Sequence, residues 1–309
     1  MLLFRLVGKL EGEYEWEEVE MFRASRLGPV VLLLMGTLRV GAQDDRAHQV
    51  ASHALSQTAV NCGDVAVLAD CHPAMPTGCT NSLHPRYDAY LNFLKNQQPG
   101  RDLVPSHALG VDEFISLEDK IPAGIGRTHH AQFADQLADF GEGNIHAVVG
   151  FLYFVENTAI TSQQRGETCN CQLRQNDSFD FHLGIGFDSA LAQKIRNSPP
   201  VHDPKHPGLA EQTSVVAEMT PHTRDAKWTV ARLNRQRGKQ VKVIGQLLLD
   251  NVHANLNDDC EFSDEAGGSC WRASAWEIHP VTQFLVCKAG KTCGSDSPDS
   301  DWTRLEDLP

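Results

Sequence analysis

AKWTVARLNRQRGKQVKVIGQLLLD, residues Ala226 to Asp250, is the stretch on which the fold turns. Its first half reads as a helix from Trp228 to about Arg237. Trp228, Ala231 and Leu233 supply an apolar face, and Gly238 supplies the stop. Its second half, QVKVIGQLLLD, is a long strand with Gly245 inside it. A helix feeding a long, glycine-interrupted strand is informative only through what stands on either side.

Upstream lie three strand signals. NIHAVVGFLYFVEN, from Asn144, is a long β run with Gly150 in its middle. DFHLGIGF, from Asp180, alternates: Phe181, Leu183, Ile185 and Phe187 on one face, Asp180, His182, Gly184 and Gly186 on the other. TSVVAEMTP, from Thr213, is a short strand, and downstream SAWEIHPVTQFLVC, from Ser274, is the last. The order is β-β-β-α-β-β, that of a five-stranded Greek-key barrel of the OB type. Gly150 and Gly245 suit the sharp coiling of a small barrel. The expectation is a mainly β, OB-like five-stranded barrel with an irregular, partly helical N-terminal region; a β-sandwich is the competing architecture. Pro280 cannot donate to a ladder, so the last strand is expected at an edge or with a bulge. In the N-terminal region, PRYDAYLNFLKNQQPG predicts a short helix over Tyr87 to Lys95, stopped by Pro99-Gly100.

The remaining segments organise around that barrel. Residues 21–42 have the form of a secretory signal peptide: Arg23 and Arg26, an apolar run from Pro29 to Leu38, and cleavage near Ala42. The alternative for that run is an anchored segment. Residues 1–20 carry Glu11, Glu13, Glu15, Glu17, Glu18 and Glu20, wrong for a leader, and read as a mis-called start ahead of Met21. Residues 43–142 form the irregular region, 143–290 the barrel, and 291–309 an acidic tail expected to be mobile. All nine cysteines follow Ala42, which fits a secreted or periplasmic, oxidising location. Cys260–Cys270 and Cys287–Cys293 are the pairings that proximity suggests. Cys169 and Cys171 stand too close for a relaxed bridge and are expected to pair elsewhere. Nine is odd, so one thiol is left over.

The net charge is −13. Non-specific nucleic-acid binding runs on Lys and Arg contacts to phosphates, so this balance disfavours it unless a local basic stripe exists. The one candidate runs from Lys227 to Lys242 with Arg232, Arg235, Arg237 and Lys239 inside, and reads as a solvated helix and turn.

The strands carry a recurring carboxylate–imidazole theme: Asp180/His182, Asp250/His253 and Glu277/His279, with Glu218 in VVAEMTP. Positions i and i+2 of a strand share a face. Three histidines with an open position make a catalytic zinc composition. On this reading His182, His253 and His279, with Asp180 and Asp250, ligate zinc or another divalent metal, and Glu218 or Glu277 acts as base on metal-bound water. On the other reading the same groups form a hydrogen-bonded network that fixes the barrel without chemistry. His72, His129, His130, His202 and His206 sit in polar or Pro-rich settings and read as surface histidines.

The succession GETCNC, DFHLGI, VVAEMTP, VKVIGQLLLDNVH and WRASAWEIHPVTQF resembles a family of secreted bacterial proteins. In that family D-x-H, V-x-E, V-x-V-x-G-x-L-x-x-D-x-x-H and W-E-I-H-P-V motifs recur in this order. The resemblance covers roughly residues 144–287. It implies export and an OB-like barrel, marks Asp180, His182, Glu218, Asp250, His253, Glu277 and His279, and brings no activity with it. The functional expectation is an extracellular or periplasmic binding module for a saccharide, peptide or small ligand rather than nucleic acid. A metal-dependent, phosphodiesterase- or nuclease-like hydrolase and a structural envelope protein are the alternatives.

Overall fold

The computed structural model describes residues 4–6, 16–18, 60–71, 76–81, 87–157, 166–198, 208–254, 258–262 and 269–309. The expected signal peptide, His72, His202 and His206 lie outside them. Phe4–Leu6 and Trp16–Glu18 pair as a short antiparallel ladder in a unit of their own, residues 1–39. The second unit, residues 40–309, holds all the other described residues.

Five strands close a barrel: β1 (Ile145–Asn157), β2 (Phe181–Gly186), β3 (Ser214–Met219), β4 (Gln240–Leu249) and β5 (Trp276–Cys287). β1 pairs β2, β2 pairs β3, β5 pairs β4 and β4 pairs β1, all antiparallel. The circuit closes where β3 meets β5 in parallel, Ala217 opposite Ile278. The mainly β, OB-like barrel expected from the element order is therefore observed.

Strand periodicity fixes what faces inward. Phe181, Leu183 and Ile185 of β2, Val215, Ala217 and Met219 of β3, and Val241, Val243, Leu247 and Leu249 of β4 fill one core. The alternate positions point outward. In β5 the inward set runs Trp276, Ile278, Val281, Phe284, Val286, so its parity shifts twice, where the ladder with β4 is irregular. The His279–Pro280 peptide is cis and stands at the first shift. Of the two expectations for Pro280, the bulge holds and the edge does not, because β5 is paired on both sides. Gly245 lies opposite this bulge, and any side chain there would strike the Pro280 carbonyl.

Helix α1 (Ala89–Lys95) is as expected but begins two residues later than Tyr87. Asp88 caps it, accepting from Tyr90 and Leu91 N–H at 3.1 Å each. α1 lies on the outer face of the barrel, with Tyr90, Leu91 and Leu94 packed on Leu248 of β4. α2 (Val111–Glu118) sends Phe114 and Leu117 into the core, and the Leu117 carbonyl accepts from the Trp276 indole at 3.0 Å. α3 (Ser189–Arg196) packs Ala192 and Ile195 on Tyr153 and Phe154 of β1. α4 (Val230–Asn234) joins β3 to β4 and is shorter than the Trp228–Arg237 helix expected. Thr229 takes the cap by accepting from Arg232 N–H at 3.2 Å, and that leaves Trp228 in the preceding turn.

Two further expectations fail. The tail is not mobile: Trp302–Arg304 forms β6 on the end of β5, and Trp302 and Leu305 are buried. Arg232 ties it down by donating to the Leu305 and Leu308 carbonyls at 2.9 and 2.7 Å. His130 is not a surface residue but fully buried, its Nε2 2.9 Å from Glu142 and its Nδ1 3.2 Å from Asn251. The chain loops around it are polar, but the ring itself lies inside a hydrogen-bonded cage.

Both disulfides expected from proximity form, together with Cys62–Cys79 and Cys71–Cys171. Cys171 does pair elsewhere; Cys169 does not, and is the buried leftover thiol.

Candidate functional site

The outward positions of β2, β3 and β5 carry the carboxylates and imidazoles. His182 stands directly across the ladder from Glu218. Glu277 and His279 lie on the same outer face of β5, where β5 runs beside β3. Asp250 follows the end of β4, opposite the start of β5. A strip of polar groups therefore crosses three barrel strands on the side that the N-terminal region covers, and nearly all of it is buried.

Glu218 is the hub. One carboxylate oxygen lies 3.0 Å from His182 Nε2, the other 2.8 Å from His279 Nδ1. His279 Nδ1 also hydrogen-bonds Glu277 at 3.2 Å, and Glu277 accepts from Arg272 at 3.1 Å. The second hub is Lys95, at the last position of α1. Its ammonium donates to Asp250 at 2.9 Å and lies 3.6, 3.8 and 3.9 Å from Glu167, Glu218 and Glu277. Asp180 accepts from Asn170 at 3.1 Å.

Two of the three carboxylate–imidazole pairs thus meet on Glu218, and Lys95 links the third pair's Asp250 to them. His253 stays apart. Its Nδ1 binds Asp258 at 2.9 Å, its Nε2 is 3.9 Å from Asp250, and its ring stands edge-on to Trp271. Among the described residues, three sets of ligand atoms near enough to share an ion involve these hubs: Glu167, His182 and Glu218; Asp180, Glu218 and His279; Glu218, Asp250 and Glu277. Each holds one histidine at most, so His182, His253 and His279 do not converge on a common ion. In the last set the Lys95 ammonium already lies close to all three carboxylates.

Burial and charge pull these groups in opposite directions. Burial works against the charge on Lys95, but the four carboxylates outweigh it and hold the ammonium well above its ordinary pKa. Burial likewise disfavours imidazolium at His182 and His279; Glu218 prevails, and both rings are pushed up to about 10. Glu218 and Asp250 are driven well below the usual carboxylate range against their own burial, the first chiefly by His182 and Lys95, the second by Lys95. Asp180 goes the other way: burial, then Glu167, push it up to about 7. Burial and Glu167 also raise the Cys169 thiol, which donates to Glu167 at 3.1 Å and is therefore held un-ionised.

Lys95, Glu167, Arg272 and Asn170 escaped the sequence reading. Their signals lay inside segments already noticed, LNFLKN, GETCNC and WRASAWEIHP. A lysine at the end of an apolar helix, with no exposed neighbour charge to pair with, was the legible clue to Lys95. Contacts from the N-terminal region fix the Gly166–Leu173 loop that supplies Glu167. Among them, Asn92 accepts from Thr168 at 3.1 Å, Asn96 donates to the Cys169 carbonyl at 3.1 Å, and Cys171 is bridged to Cys71.

The network is open on one side. Lys95, Glu167, His182, Glu218, Asp250 and His253 line a cavity of about 240 Å³, with Leu91 and Val252 as its apolar wall. His182 Nδ1 and His279 Nε2 are buried without a hydrogen-bond partner among the described residues. In strand terms the cavity sits on β2 and β3, between the β1–β2 connection (Glu167, Thr168) and the β4–β5 connection (Asp250, His253). No helix of the described residues is long and apolar enough to cross a membrane. Comparison with protein-family models, with curated proteins and with solved structures gives no match for this chain.

Proposed function

We propose that the chain is an exported binding protein whose barrel holds one saccharide unit or a polyol of similar size in the Lys95–Glu167–His182 cavity. The observation that carries this reading is the cavity's address. Strands 2 and 3 of an OB barrel, with the 1–2 and 4–5 loops, are the face that binds oligosaccharides and oligonucleotides in this architecture. The lining decides between those ligands. A cavity of about 240 Å³ lies just below the usual range for drug-sized ligands, which suits a single ring. Its wall alternates donors (Lys95, His182, Asn92) with acceptors (Glu167, Glu218, Asp250), and a sugar hydroxyl both donates and accepts. Three carboxylates offset the Lys95 and His182 cations, so the wall offers no excess positive charge to a phosphate.

Titration calorimetry against a panel of neutral mono- and disaccharides tests the reading. At least one is expected to bind the wild type, with affinity lowered tenfold or more in Glu167→Gln and His182→Ala. A panel without a binder sinks the proposal. Metal-dependent hydrolysis is the second reading, favoured by the closeness of Glu167, His182 and Glu218 ligand atoms. Stoichiometric zinc in the purified protein, lost in His182→Ala, would move the assignment there.

A further inference from the structure

At the opposite end of β4 from the polar cavity, ten residues or about 30 Å along the strand, lies a much larger concavity. It measures about 1210 Å³ and opens between the end of α3, the turn after α4 and the turn after β5. Among the described residues six cations line it: Arg196 from α3, Arg235, Arg237 and Lys239 from the α4–β4 turn, and Lys288 and Lys291 from beyond β5. Among the described residues no carboxylate lines it, in a chain whose net charge is −13.

Three segments distant in sequence are brought together here by close backbone approach. Gly238 sits at φ +69°, and any side chain on it would run into Arg196, so the turn is pressed directly onto the end of α3. Part of the cationic set is already satisfied. Arg237 donates to the Tyr153 carbonyl at 3.2 Å, Lys288 to the Ser300 carbonyl, and Lys291 pairs with Asp301 at 3.0 Å. Lys239 donates only to the neutral Gln236 amide at 2.9 Å, and both burial and Arg196 depress its pKa. Among the described residues no carboxylate pairs with Arg196, Arg235 or Lys239. Where like charges such as Arg196, Arg235 and Lys239 gather in a concavity without a paired carboxylate, they raise the local potential and favour an incoming anion. Guanidinium groups add the planar donor fork that matches tetrahedral oxyanions.

We propose that this concavity is an anion site for a ligand bearing several phosphate or sulfate groups. The site is independent of the saccharide reading and stands at the other end of the barrel. Its width suits a multiply charged ligand rather than a lone ion. Among the described residues Phe151 is its one aromatic lining residue, so stacking of bases contributes little, and recognition rests on the oxyanions.

The test uses the full chain and two probes of defined chemistry, inorganic tripolyphosphate and sucrose octasulfate, in calorimetry at 20 and 200 mM NaCl. At least one is expected to bind, at least fivefold weaker at the higher salt. The triple variant Arg196→Ala/Arg235→Ala/Lys239→Ala is expected to lose tenfold or more in affinity, with an unchanged circular dichroism melt. The probe that binds tells a phosphorylated from a sulfated ligand. Absence of binding by both at 20 mM NaCl, or equal binding by the folded triple variant, overturns the proposal. Displacement of the probe by the neutral saccharide would also overturn it, since the two sites would then be one.

Discussion

At the scale of single residues, Lys95 and Glu218 decide the site. Each is a charge inside a network whose partners, apart from the half-buried Glu167, are themselves buried, so removing one leaves several uncompensated. Lys95→Met strands Asp250, Glu218, Glu167 and Glu277 around an apolar side chain. It is expected to lower unfolding free energy by about 3–5 kcal/mol, read from urea denaturation. A loss below about 1 kcal/mol would mean that the carboxylates are not held by the ammonium. Glu218→Gln removes the counter-charge from both rings. The His182 and His279 resonances, which should titrate near 10 in the wild type, are expected to move down by two pH units or more in NMR titration. Unmoved titrations would show that Glu218 is not the hub.

At the scale of elements, a short loop carries the site's most accessible carboxylate. The Gly166–Leu173 segment belongs to no strand; it is fixed by the bridge to Cys71, by side chains of α1, and by the Cys79 N–H, which donates to the Thr168 carbonyl at 3.0 Å. Removing that bridge in Cys71→Ala/Cys171→Ala takes away the loop's covalent tie to the N-terminal region and leaves only its hydrogen bonds. The buried Cys169 thiol is then expected to react with a disulfide reagent at least tenfold faster under native conditions. Unchanged protection of Cys169 would place the anchoring in the hydrogen bonds alone. The outer face of β2 shows the same dependence of element on residue. Gly184 and Gly186 accept the Phe154 and Tyr153 rings, and any side chain there would overlap them.

At the scale of the molecule, stability should fall as the solution becomes alkaline. His130, His182 and His279 have folded pKa values raised to about 9, 10 and 10, above the ordinary 6.5. For His130 burial opposes the charge and Glu142 prevails. Groups raised on folding contribute fully below the unfolded pKa and lose that contribution as pH rises through the folded one. Asp180, raised to about 7, and Glu118, raised by burial and neighbouring Asp259 to about 8, act in the same direction. Glu218 and Asp250 act oppositely, but only in acid. The melting temperature is therefore expected to drop by more than about 5 °C between pH 6 and pH 10, and His130→Gln should flatten part of that slope. A Tm flat across this window would refute the imidazolium assignments.

Sequence periodicity by itself determined the barrel. Strand alternation in DFHLGIGF, the helix after the third strand and the glycines at 150 and 245 are local signals, and local signals survive in one dimension. It also isolated seven of the site's polar residues, because carboxylates and imidazoles, in two cases two places apart, break apolar runs visibly. Tertiary structure alone decided which of them meet. Glu218 joins His182 and His279 only because β3 lies between β2 and β5, and a closed circuit is not written in any one strand. Lys95 is more than 70 residues from its nearest partner in sequence, and Arg196 is about 90 residues from Lys288. Contacts of that separation depend on how the whole chain closes, so the charge balance of the site and the basic concavity became visible only in three dimensions.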